Sequence, residues 1–246
     1  MKAKKYISVL SSIALIWLLI ALSEKITSDI YSVIMYIAFG LILIALFAYQ
    51  IKLRLSATNS LLNEMNPQKF LKDYQELDGN KYSNPRYILE ALAYILLGDF
   101  INAENLLKNV KNKKDDILKA DALLVLCYYF SENNAFTQAA ISTLKTEIGT
   151  QTEKYERFVY FTMLIETLIS DKTVDFHILE KYFNSIHKKN FAEVYIANYI
   201  LGETKLKLGD TENALILFEN ISKSNCNKTI LHSKSLLRIT SIKNSK

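Results

Sequence analysis

The 246-residue chain reads as an all-α protein, a transmembrane helical hairpin followed by an α-solenoid of about four helix–turn–helix units. Three observations predict this. Two long apolar runs without a charged residue stand near the start. The remainder carries apolar residues at three- and four-residue spacing, the mark of amphipathic helices. Only 6 Gly and 2 Pro are present, too few for a turn-rich sandwich or barrel.

The apolar residues are unevenly spread. Residues 1–55 hold 38 of them, and the following 191 residues hold 85, an ordinary share for a soluble domain. Tyr6–Ser23 forms the first run and Ile30–Ile51 the second. As helices they reach roughly 27 and 33 Å, enough for a hydrocarbon core of about 30 Å. The connection Glu24–Asp29 is short and polar, so the spans must be antiparallel neighbours. Lys2, Lys4 and Lys5 precede the first span, and Lys52 and Arg54 follow the second. Cationic flanks stay inside, which predicts a cytoplasmic location for both termini and for everything after residue 55. Tyr6, Tyr31 and Tyr49 fall near the expected interfaces. The spans contain no ionisable side chain, which favours an anchor over a conduit. Ser8 and Ser12 make a small-xxx-small pair suited to close helix packing. The alternative for the first span is a secretory signal ending at Ala21-Leu22-Ser23, which leaves the later orientation unchanged.

Residues 56–83 read as a stalk and linker. Leu55, Leu62 and Met65 share one face, continuing the second span. Asn66 suits a helix cap and Pro67 the first helical position. Phe70, Leu71, Tyr74 and Leu77 give that helix an apolar stripe, and Asp78-Gly79-Asn80 ends it. Asn84-Pro85 starts the next helix in the same way.

Residues 84–246 compare with themselves. Leu97-Gly98-Asp99-Phe100 precedes Ala103, Leu106 and Leu107, while Leu208-Gly209-Asp210-Thr211 precedes Ala214, Leu217 and Phe218 at the same offsets. Between them, Asn134-Ala135-Phe136 leads to Ala139 and Leu144, and Ser170-Asp171 leads to Val174, Leu179, Tyr182, Phe183 and Ile186. The turns near Gly98, Asn134, Asp171 and Gly209 stand 36, 37 and 38 residues apart. Gly or Asn allows the positive φ of a tight helix–helix turn, and small Ala at 103, 139 and 214 allows close approach of the second helix. One hairpin cannot bury its apolar face, so hairpins stack. Thr229–Ile242, with Leu231, Leu236, Leu237 and Ile239, reads as the closing helix.

The pattern Gly-Asp-Phe-x-x-Ala-x-x-x-Leu, with Tyr94 before Gly98 and Leu201-Gly202 before Gly209, resembles the tetratricopeptide repeat over residues 84–224. The leading Trp and closing Pro of that repeat are missing, and the spacing is longer than its 34 residues. The resemblance implies a concave groove lined by the first helix of each hairpin. Its lining here would include Ile88, Leu92, Leu124, Tyr128, Phe161, Ile165, Tyr199 and Glu203. That lining is almost wholly apolar, which suits an apolar peptide or amphipathic helix, a second copy, or self-filling of the groove. The Lys/Asn set that clamps a C-terminal carboxylate in some members is absent.

The sequence contains no HExxH, no Cys pair at metal-ligand spacing, no phosphate loop and no GxSxG elbow. Cys127 and Cys226 read as free thiols, and His177, His187 and His232 stand apart. No catalysis, cofactor or metal is expected. The Asn-x-Ser/Thr sites at Asn220 and Asn227 carry no meaning in a cytoplasmic domain. Lys108–Lys114, followed by Asp115-Asp116, is basic, and reads as a solvated loop or a contact for anionic lipid heads. The formal charge of +5 divides into +4 over residues 1–55 (six Lys/Arg, two acids) and +1 over the rest (24 against 23). The basic excess therefore reports membrane orientation, and nucleic acid is not an expected partner. The function expected is a membrane-anchored cytoplasmic scaffold or adaptor that binds a protein or peptide. The alternatives are a peptide-responsive regulator or self-protection (immunity-type) factor, or an accessory subunit of a membrane complex.

Overall fold

The computed structural model describes residues 30–78, 83–170, 173, 175–185 and 190–244. These contain eleven helices and no strand, so the chain is all-α as expected. They are α1 (Ile30–Leu62), α2 (Pro67–Asp78), α3 (Asn84–Leu97), α4 (Phe100–Leu107), α5 (Lys114–Phe130), α6 (Asn134–Ile148), α7 (Glu156–Ile169), α8 (Phe176–Asn184), α9 (Phe191–Lys207), α10 (Thr211–Ser222) and α11 (Ile230–Asn244). The first expected span, its flanking lysines, the Ser8/Ser12 pair and the connection to Asp29 lie outside the described residues, as do Gly79, Asn80, Asp171, Val174, Ile186 and His187. The chain divides into two compact units: Met1–Ala57 with Lys72–Asn80, and Thr58–Leu71 with Lys81–Lys246.

In the first unit, α1 provides one helix long and apolar enough to cross a membrane, Ala38–Leu62. Leu41, Ile42, Ile44 and Phe47 stand exposed along it. A soluble protein would bury such a row, so its exposure is what a lipid-facing segment requires.

In the second unit, one turn recurs. Gly98 has φ 79° and Gly209 has φ 79°, both left-handed. The Gly98 and Asp99 amides donate to the Ile95 and Tyr94 carbonyls (3.0 and 2.9 Å), and the Gly209 and Asp210 amides donate to Leu206 and Lys205 at the same distances. This double bond satisfies the last carbonyls of the first helix. The next residue then caps the second helix: Asp99 accepts from the Asn102 amide and Asp210 from the Asn213 amide.

The second turn is Glu132–Asn133, two residues before the position expected from Asn134. Glu132 takes the left-handed place (φ 60°), its amide donates to Tyr129, the Asn133 amide donates to Tyr128, and the Asn133 side chain accepts from the Phe136 amide. A Glu where glycine is the usual occupant hides this turn from sequence comparison. The α1–α2 turn is related: Met65 is left-handed (φ 51°), and Asn66 accepts from the Lys69 amide as expected of a cap. At Asn84 the expectation changes. Ser83 takes the cap position without a side-chain bond, and Asn84 instead donates to Asp116 and to the Lys111 carbonyl, tying α3 to the start of α5.

With caps at Asp99, Asn133, Asp175 and Asp210, the spacing is 34, 42 and 35 rather than 36, 37 and 38. The extra length falls between Asn133 and Asp175. Counting from the caps also corrects the small-residue position. Ala103, Thr137 and Ala214 are the buried residues four beyond each cap, whereas Ala139 is exposed. Eight beyond come Leu107, Ile141 and Phe218, and eleven beyond come Val110, Leu144 and Ile221, all buried. On the preceding helices, Ala91, Val125 and Gly202 occupy one buried position. At Gly202 a Cβ would sit 2.7 Å from the Phe218 ring, so only glycine permits this approach of α9 and α10.

Each helix packs on its successor from α3 to α8 and from α9 to α11. In addition α3 packs on α5, α5 on α7, α7 on α9, and α9 on α11. Then α11 packs back on α3, and the Ile230 side chain lies 3.6 Å from where a Gly98 Cβ would be. The buried seam of α11 is Leu231, Ser235 and Ile242; Leu236 and Leu237, read as part of the closing stripe, face outward.

Candidate functional site

The described residues of the second unit include two clefts. The first, of about 430 Å³, is lined by Tyr129 of α5, Leu168, Ile169 and Ser170 at the end of α7, Glu203, Leu206 and Lys207 of α9, and Arg238 of α11. Arg238 donates to both Glu203 carboxylate oxygens (2.6 and 2.9 Å). Burial opposes the Arg238 charge, but the Glu203 carboxylate outweighs it and raises the guanidinium further above its ordinary value. Tyr199, buried and bonded to the same carboxylate, has its hydroxyl pushed up by burial and then by Glu203. Lys207 donates to the Thr167 and Ser170 carbonyls, a cation on the negative end of α7. Every charged group here is thus satisfied by the protein itself, and the cleft is a structural joint rather than a receptor.

The second cleft, of about 190 Å³, lies between α5 and α6 and is lined by Asp121, Leu124, Tyr128, Phe136, Ala139, Ala140 and Thr143. Tyr128 and Phe136 pack ring to ring at 5.4 Å, and Phe136 remains 57% exposed. The Tyr128 hydroxyl donates to Glu104, which also holds Lys108 at 2.6 Å. Burial, and then the neighbouring charge of Glu147, push the Asp121 carboxyl up to about 6. The cleft is apolar with one carboxyl at its wall.

The eight residues expected to line a groove are therefore distributed. Leu124 and Tyr128 line the apolar cleft and Glu203 the polar one. Phe161, Ile165 and Tyr199 are buried. Tyr199 sits between the Phe130 and Phe218 rings at 5.7 and 5.5 Å. Ile88 and Leu92 are half-buried on α3. Asp121 and Ala140 did not stand out by spacing, and Phe136 and Ala139 read as repeat positions rather than as lining of a site. Aligning the caps brings them out, because Ala139-Ala140 falls where the other hairpins carry Asn105-Leu106 and Ile216-Leu217.

Cys127 and Cys226 are free and buried. Burial raises both thiols, Cys127 to about 12. Cys226 is fully buried despite its polar neighbours in sequence. His177 is exposed and His232 half-buried. Among the described residues no three His, Cys, Asp or Glu gather as metal ligands. In the basic segment, Lys114 already begins α5 and lies over the Tyr155 ring at 5.5 Å, while Lys108, Lys111 and Lys113 are exposed. No protein-family model matches the chain, and no curated protein or solved structure matches it either.

Proposed function

We propose that this chain is a membrane-anchored, tetratricopeptide-like helical-repeat protein whose repeat domain binds a peptide or protein segment in the cytoplasm. The observation that carries the reading is the open apolar cleft between α5 and α6, with Leu124, Tyr128 and exposed Phe136 facing it. Apolar surface of this kind gains free energy when a partner covers it. The repeat part of the reading is supported by three turns with one hydrogen-bond scheme, by buried residues at matching offsets, and by alternate helices that pack as neighbours. The anchor part is supported by Ala38–Leu62 and by the charge distribution. A two-span anchor with cytoplasmic termini is the arrangement proposed.

A photoreactive phenylalanine analogue at position 136 of the full-length protein, expressed in cells, tests the binding role. The expected result is one discrete crosslinked adduct that Ala140→Leu removes. Crosslinking that is unchanged by Ala140→Leu would sink it. For sidedness, Ser233→Cys places a thiol at an exposed position. Labelling by a membrane-impermeant reagent is expected only after permeabilisation, and labelling of intact cells contradicts the orientation.

A further inference from the structure

We infer that the α5/α6 cleft receives a peptide segment presenting an apolar side chain beside a lysine or arginine. This rests on the binding role proposed above and names the chemistry of its partner. The cleft's volume, about 190 Å³, is below the roughly 300–1,000 Å³ of small-molecule pockets, so it fits one or two side chains. Its depth comes from Ala139 and Ala140, which stand where the other hairpins place longer residues.

The charge of the cleft defines the second half of the partner. Asp121 lines it and Glu147 lies near enough to raise the Asp121 carboxyl. Neither carboxyl has a hydrogen bond or ion pair among the described residues. The lysines on these two helices are turned elsewhere: Lys114 to the Tyr155 ring, Lys119 to Asp116, and Lys145 to Glu166. A cleft carboxylate with a second acid near it and no cation on either favours a ligand that brings one. The open Tyr128–Phe136 ring pair at the same cleft adds a second attraction for a cation, through the negative faces of the rings. Apolar lining, the Asp121 carboxyl with Glu147 near it, and a ring pair with exposed Phe136 thus select one chemistry.

The test uses the full-length protein in neutral maltoside micelles and a fluorescein-labelled leucine–lysine heptapeptide, with a leucine–glutamate heptapeptide as its charge-reversed counterpart. Fluorescence anisotropy reads binding. The lysine peptide is expected to bind saturably, about tenfold more weakly to Asp121→Asn, and more weakly again when Glu147→Gln is added. Ala140→Leu, which introduces the residue found at this position in the α3/α4 and α9/α10 hairpins, is expected to abolish binding while circular dichroism stays unchanged. No saturable binding, or binding indifferent to Asp121→Asn, overturns the inference. If the glutamate peptide binds as well and Ala140→Leu blocks it, the cationic assignment is wrong while the binding role stands. If Ala140→Leu affects neither peptide, the binding role loses its support too. Self-association that Ala140→Leu abolishes would make a second copy the occupant and overturn the inference.

Discussion

The hairpins α5/α6 and α9/α10 share a turn but differ in what they do with their apolar surface. Both turns place a left-handed residue before an acidic or amide cap, with matching carbonyl partners. In α9/α10, Phe218 fills the space over Gly202 and touches the Tyr199 ring. Its partner helix α11 adds the Arg238–Glu203 and Lys243–Glu219 pairs. In α5/α6, Val125 and Ile141 hold the same inner positions, but Ala139 and Ala140 leave the outer seam open beside an unpaired Asp121. The difference teaches that the turn and the inner seam make the hairpin, while the outer seam is free to vary and is where binding can be built.

The largest way to break the sealed hairpin is Phe218→Ala, expected to destabilise the protein by about 3–5 kcal/mol in denaturant unfolding. Gly202→Ala attacks the same contact from the other side, at about 1–3 kcal/mol. A Gly202→Ala/Phe218→Leu double variant should recover part of that loss, and failure to recover would dissociate the glycine from the ring. Asn133→Ala and Asp210→Ala sharpen the shared feature. Each should lower stability by about 1 kcal/mol, and a large inequality between them would break the equivalence of the two turns.

The open hairpin carries a pH signature. Asp121 has its folded pKa raised to about 6 from 3.8. Its contribution is therefore most favourable below pH 3.8 and is lost as pH rises towards 6 and above. Asp121→Asn should raise stability at pH 7 by on the order of 1 kcal/mol, after allowance for solvent screening of a half-buried group, and should match the parent below pH 4. The smallest effect expected is at Glu132. Glu132→Gly relieves a left-handed non-glycine residue and should gain up to about 1 kcal/mol. Its pair with Lys234 is exposed and offsets little of this. A loss of stability would show that the pair matters more than the backbone.

Much of the helical arrangement was legible in the chain because local rules decide it. Asn66 and Pro67 announce α2, and the Gly-Asp dipeptides announce two turns through the left-handed backbone they allow. The Glu132 turn was not legible, because backbone context there overrides the residue's own preference. That displaced the register by two and led to Ala139 instead of Thr137 as the buried small residue. The apolar cleft was half legible. Leu124 and Tyr128 are named by the tetratricopeptide resemblance, but the opening depends on what α6 lacks, and missing volume has no periodicity. Glu203 read as groove lining because its partner, Arg238, is 35 residues away on a helix whose seam the sequence placed on Leu236 and Leu237.

The return of α11 to α3 has a consequence for synthesis. A linear stack can fold from its first unit outward, each hairpin needing only its neighbour. Here the surface of α3 at residues 84–97 is completed by residues 230–244, a helix made after all the other described ones. The first hairpin must wait, partly uncovered, while the intervening chain is made, at roughly 5–20 residues per second. Emergence of α11, rather than completion of any one hairpin, is then the moment at which the domain becomes whole. A chain cut short before α11 would leave its oldest segment, not its newest, without a neighbour.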